Sequence, residues 1–334
     1  MKKILLTLLL TSASILTWSC GNYSGPYSPY RNPGPGQVNY PSPTIAPTQS
    51  PTPPFISMWG VNAPNGLAAS ASIIYAAEGD GASVSQVQLF DGTTDAPVTQ
   101  WTGYGGKTFY FPDGVAVNPT TGNVYVLDAG NPINNGATGA GVYEFTSAVS
   151  AVGVTSWAGY GSVPFNNPSG IALDSTGNVY VADMDNSNIE EFGPGGSTLG
   201  QWNDGNNGNF LPSGIALDSA NNLYVVDAGN FVVWKLPSIT GTPTSWPIFS
   251  NNDTLPFYGL TVDASGNLYV ADYDRSVVDV YTNSGTLIGE MNGNFGAATP
   301  FMGPDALLLF NGNIYVADYD NGAGNVQIFG PNTY

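Results

Sequence analysis

The chain has 334 residues, of which 24 are acidic and six basic, with one cysteine and no histidine. A net charge of −18 repels phosphate backbones and anionic lipid headgroups, which argues against nucleic acid as a partner and against membrane binding through a basic patch. One cysteine permits no intramolecular disulfide, and the lack of histidine removes Ser-His-Asp and Cys-His nucleophile pairs and every His-ligated zinc or iron site.

The N-terminus reads as an export signal: Lys2 and Lys3, an apolar run from Ile4 to Leu10, a weaker patch from Ala13 to Trp18, then Cys20. The run is too short for a committed transmembrane span. Cys20 stands where a bacterial lipoprotein signal places its lipidated residue, although Leu16 lies four residues ahead of it rather than three. Residues 1–19 are therefore expected to be removed and Cys20 lipidated. That implies an exported protein held in the cell envelope, at the outer membrane or cell surface. Residues 20–54 follow as a tether with ten prolines among Ser, Thr, Gly, Asn and Tyr. Such a segment cannot bury enough apolar surface to fold and behaves as a semi-rigid spacer, up to about 100 Å long if fully polyproline-like.

From Phe55 the text changes to short β-rich runs separated by Gly, Asn, Asp and Pro, and one phrase recurs: GIALDSTGNVYVAD at 170–183, GIALDSANNLYVVD at 214–227, GLTVDASGNLYVAD at 259–272. Aligned on its first residue, the phrase marks six units, opening at Gly66, Gly114, Gly170, Gly214, Gly259 and Ala306. Each reads as four strands. The first is GIAL-like. A polar turn follows, in which Gly-Asn suits a backbone with positive φ. The second strand is VYVAD-like, the third ends in residues such as Phe145, Phe192, Tyr281 or Phe329, and the fourth carries Trp101, Trp157, Trp202 or Trp246, with Met291 in the fifth unit. Four-stranded sheets that are apolar on both faces are buried by radial stacking. Residues 55–334 are thus expected to form an all-β, six-bladed β-propeller, a monomer. The last unit lacks a fourth strand, and FISMWG at 55–60 has the matching Trp-Gly ending, so the N-terminal strand should complete the last blade and close the ring.

The pattern P-x-G-I-A-x-D-x-x-G-N-x-Y-V-A-D-x-x-N-x-x-I-x-x-F, fullest at Pro168 to Phe192, resembles the NHL repeat. The resemblance implies the propeller fold. It is weak for function, since NHL propellers include binding platforms, sensor domains and a few enzymes. The basic residue frequent in the family's third strand is nearly absent here, Arg275 being the only arginine in any unit, which weakens a reading borrowed from RNA-binding members. Peptidyl-amidoglycolate lyases and streptogramin lyases, propeller enzymes similar to this fold, depend on histidine, so their mechanisms are out of reach.

The remaining chemistry belongs to carboxylates. Asp128, Asp183, Asp227, Asp272 and Asp318, with Glu78 in the first unit, each end a second strand and are expected to ring one mouth of the central channel. Asp185, Asp274 and Asp320 follow closely, with Tyr273 and Tyr319 between acids. Together these form a candidate ligand-binding face. The simpler account of the repeated Asp is that it accepts backbone N–H groups in its own turn. DMDNSN from Asp183 and DYDNGAGN from Asp318 weakly suggest calcium loops, with Asp183, Asp185, Asp318 and Asp320 as candidate ligands. Neither has the glycine and glutamate spacing of such a loop. No cofactor is otherwise implied. Phe165, Phe210, Phe257, Tyr258 and Phe301 either face the same mouth or, more simply, pack between blades, and the tryptophans read as packing residues near the outer edge.

Two functions fit. The first is a binding platform for a protein, peptide or glycan, with no catalytic residue. The second is a metal-dependent hydrolase or lactonase similar to gluconolactonase-like propellers, which hold one cation in the channel with acidic and amide ligands. An enzyme needs a few unlike residues, whereas the same Asp in every unit suits a scaffold.

Overall fold

The computed structural model describes residues 53–79, 85–130, 139–146, 152–205, 209–248, 259–293, 300–319 and 324–330. The signal and nearly all of the tether lie outside them. The described residues contain strands and turns but no helix. Six antiparallel four-stranded sheets are present, and the inner strands contact one another in a closed ring, which makes a six-bladed propeller. Blades one to five span 64–101, 112–157, 168–202, 212–247 and 260–291. The sixth joins Pro304–Phe310, Asn313–Asp318 and Asn325–Phe329 to the N-terminal strand Phe55–Gly60. The closure expected from the Trp-Gly ending is therefore present, with Trp59 opposite Val326 and Gly60 opposite Asn325.

The third blade shows why the repeat folds as it does. Its strands are Pro168–Leu173, Val179–Asp183, Asn188–Phe192 and Thr198–Trp202, from the axis outward. The turn after the first strand is closed by Asp174, whose Oδ1 accepts N–H bonds from Thr176 and Asn178 at 2.8 and 2.9 Å. Gly177 there has φ of 89°, and the fourth blade places Asn221, at 62°, in the same role. A Cβ on Gly170 would lie 2.8 Å from the carbonyl oxygen of Ser213 in the next blade, so the opening glycine lets inner strands meet near the axis.

The apolar residues form six clusters, each between two adjacent blades. Second strands supply two of them at once: Val124 and Val126 face the first blade, while Tyr125 and Leu127 face the third. This is why they read as continuous apolar runs, and how a 280-residue domain outgrows a single core. Two short hairpins, Gly103–Tyr104 with Lys107–Thr108 and Gly159–Tyr160 with Val163–Pro164, were not expected from the repeat. Gly105, Gly106 and Gly161 provide their positive-φ turns.

The ring has two unlike faces. At the turn face, first strands pass to second and third to fourth. At the crossover face, second strands pass to third and each blade leads to the next. The chain enters the ring at the turn face, because Phe55 lies opposite Phe329, where the third strand of the last blade ends.

Candidate functional site

The second-strand acids all reach the crossover face, but they do not line an open mouth. Asp183, Asp227, Asp318 and Glu78 are 0 % exposed, and Asp128 and Asp272 at most 2 %. Most turn inward onto the segment that brings the chain into their own blade. Asp128 accepts from the backbone N–H groups of Tyr110 and Phe111 at 2.9 and 2.8 Å, and of Gly130 at 2.9 Å. Asp183 accepts from Asn166, Asp227 from Leu211, Asp318 from Met302 and Gly303, and Glu78 from Asn62. Among the described residues Asp272 accepts from the backbone N–H of Arg275 in its own turn. The ring these acids form at the crossover face is one of buried carboxylates. The physical reason is that the crossover backbone has N–H groups with no strand partner, which an anionic acceptor satisfies. Burial raises the pKa of Asp128 and Asp227, and of Asp183 to about 7, against the opposing effect of these hydrogen bonds.

Asp185 and Asp274 are exposed on the crossover face, and Tyr273 and Tyr319 are half-buried. Tyr273 covers Gly303 of the next blade. Asp320 lies outside the described residues, as do Phe257 and Tyr258. Phe165, Phe210 and Phe301 are buried between blades, the simpler of the two accounts of them. Among the described residues no group of three or more Asp, Glu or Cys side chains converges.

The axis holds a second set that the repeat hid. The residue before each opening glycine, at the crossover end of the inner strand, is Asn65, Asp113, Ser169, Ser213 or Asp305, with Tyr258 in the fifth unit outside the described residues. Asn65 and Ser169 bond to backbone carbonyls, Asn65 to Gly79 and Ser169 to Pro212 and Ser213. Asp113 and Asp305 make no hydrogen bond among the described residues. Both are partly open to the axis yet enclosed by protein. Burial raises Asp305 to about 8 and Asp113 well above the carboxylate range, Asp113 being raised further by the charges of Asp305 and Asp128. Four residue types, Asn, Asp, Ser and Tyr, at one repeated place are the signal that could have found them.

The NHL-repeat family model matches residues 165–192, the stretch that carries the third crossover, its buried Asp183 and the third strand. The chain is a six-bladed β-propeller with an NHL repeat in its third blade. Among solved structures the propeller is similar to virginiamycin B lyase from Staphylococcus aureus, with a TM-score of 0.58 and 16% identity over 83% of this chain and 89% of that one. The RRP9 WD40 repeats give 0.58 and 9%, covering 80% and 78%. A nidogen/laminin complex gives 0.52 and 18%, covering 69% and 80%. At these identities the likeness is one of fold. No curated protein matches the chain.

In this propeller the two faces differ in sequence as well as geometry. The turn between first and second strands is the same five-residue device at Asp174, Asp218 and Asp263, each capping its own turn. The crossover segments share no phrase across all the blades, although Trp-x-Gly-Tyr-Gly recurs at 101–105 and 157–161, and they vary in length, as do the connections from second to third strand. An open groove of about 470 Å3 between the fourth and fifth blades, lined by Lys235, Thr244, Trp246 and Asn283, belongs to the turn face and contains no carboxylate.

Proposed function

We propose that this chain is an envelope-anchored binding module whose crossover face recognises a protein, peptide or glycan, with lipid on Cys20 and residues 20–54 as its tether. The observation that carries this reading is the opposition of the two faces. The chain enters at the turn face, opposite Phe329, while the segments that differ from blade to blade gather at the other end of the axis. A tether attached there leaves the variable face directed away from the anchor. In repeat architectures, variation collected on one face marks the contact surface. Exposed Asp185 and Asp274 with half-buried Tyr273 and Tyr319 give it acid and aromatic contacts suited to cationic or hydroxyl-rich groups.

The test is a screen of the full chain against peptide and glycan arrays, repeated with Asp185→Asn and Asp274→Asn combined. Loss of the captured ligand supports the reading. Capture that survives this variant and is lost with Asp218→Asn, at the turn face, overturns it.

A hydrolase is the second reading, favoured by Asp113 and Asp305, which differ from their equivalents in other blades and whose side chains make no hydrogen bond among the described residues. The chemistry of the similar lyase is not available to this chain: a histidine-to-alanine variant of that protein is catalytically inactive, and this sequence has no histidine. Ester and lactone turnover with and without Ca2+, compared with Asp113→Asn, tests this second reading.

A further inference from the structure

In the fifth blade, four charged side chains meet in one place. Arg275, three residues after Asp272, directs Nη1 to Asp272 Oδ2 at 3.2 Å and to Asp279 Oδ2 at 2.8 Å, and its Nη2 pairs with Glu290. Asp279 lies opposite Glu290 across the third and fourth strands. The guanidinium thus supplies the positive charge that lets two fully buried acids sit side by side.

The third blade repeats the arrangement without the cation. Asp183 takes the place of Asp272, Asn186 of Arg275 and Glu190 of Asp279, at the same sequence offsets, and Gln201 lies opposite Glu190 as Glu290 lies opposite Asp279. Both acids are 0 % exposed. Asn186 donates to Asp183 Oδ2 at 2.7 Å and Gln201 to Glu190 Oε1 at 2.9 Å. Glu190 Oε2 is buried with no hydrogen-bond partner among the described residues. In the fourth and sixth blades the equivalents of Glu190 are donors: Trp234 Nε1 bonds Asp227 at 3.1 Å and Gln327 Nε2 bonds Asp318 at 3.3 Å. A second acid at this place with no arginine beside it is peculiar to the third blade among the described residues.

We propose that the third blade binds a hard divalent cation of the calcium type between Asp183 and Glu190, in the position that the fifth blade fills with the Arg275 guanidinium. Two carboxylates match a double positive charge, and the side-chain amides of Asn186 and Gln201 carry the neutral oxygens such ions accept. The site is structural. It lies inside the blade, and differs from the loop pairing of Asp183 with Asp185. Its physical support is the cost of two buried carboxylates without a counter-charge, which raises Glu190 to about 7 by burial and by the charge of Asp183.

The experiment is thermal denaturation of the full chain, freed of metal by chelation, during titration with CaCl2 and with NaCl at matched ionic strength. Wild type should gain a saturable rise in Tm of about 2 °C or more with calcium alone. Glu190→Gln should keep the fold, because Gln327 shows that an amide fits beside the second-strand acid, and should lose the calcium response. Calorimetric titration of the wild type gives the stoichiometry independently, one ion per chain. No calcium-specific shift, or the same shift in Glu190→Gln, overturns the proposal. So does a stability that ignores calcium but falls with rising pH in a manner abolished by Glu190→Gln, which would place a proton between the two carboxylates.

Discussion

The indole of Trp101 lies 4.9 Å from the ring of Phe145, inclined by 29°, across the seam between the first and second blades. Trp101 also meets Tyr75 of its own blade and is 3 % exposed. Each blade is held by such wedges rather than by a central core, so Trp101→Ala should cost about 3–5 kcal/mol. Trp246, half-buried, should cost less. Urea denaturation of the two variants checks the order, and equal losses would contradict it.

Removal of 55–60 should destabilise the whole ring, because that strand pairs with Asn325–Phe329 and its loss exposes a row of unpaired backbone groups. Removal of 21–50 should leave the melting temperature unchanged. Calorimetry of both deletions decides the matter, and a first deletion that melts like wild type would sink the closure argument.

Asp128 gathers three backbone N–H groups from two segments. Asp128→Ala leaves all three buried without an acceptor and should cost about 2–4 kcal/mol, whereas Asp128→Asn retains one carbonyl oxygen and should cost less. Amide exchange should accelerate at Tyr110, Phe111 and Gly130 first, before any global opening.

Asp305 is held to about 8 in the folded chain by burial, far above a carboxyl group in an unfolded chain. The native state therefore binds the extra proton through the intervening range, and stability contributed at low pH is lost as pH rises from about 4 to about 8. Asp305→Asn should flatten the decline in Tm between pH 5 and pH 8, relative to wild type. An unchanged slope would show that Asp305 is already ionised in the fold.

The fold was legible because its devices repeat. Gly177, Gly266 and Asn221 announce the hairpins, and the Trp-Gly at 59–60 matches that of a missing outer strand. The site was less legible, for opposite reasons at two positions. An Asp at a strand exit looks the same in sequence whether it faces solvent or the chain, and only the crossover geometry turns Asp183 inward. Asp113 and Asp305 were overlooked because a repeat alignment discards variable positions, and those are where a ring of identical blades can be made asymmetric. Glu190 was hidden in the same way, as one letter in a third strand whose equivalents are Trp234, Asp279 and Gln327.

The closing strand is also the strand that continues into residues 20–54. Any mechanical load carried by that segment is applied at Phe55, on the outer edge of the sixth blade, before it reaches the other five. The five pairings from Phe55 to Gly60 act together as a shear joint, and the bond from Gly330 N–H to the Pro54 carbonyl, at 2.6 Å, is the first to carry the strain. A drag force strong enough to break the joint would open the ring at its seam, while a weaker one would leave the crossover face undisturbed.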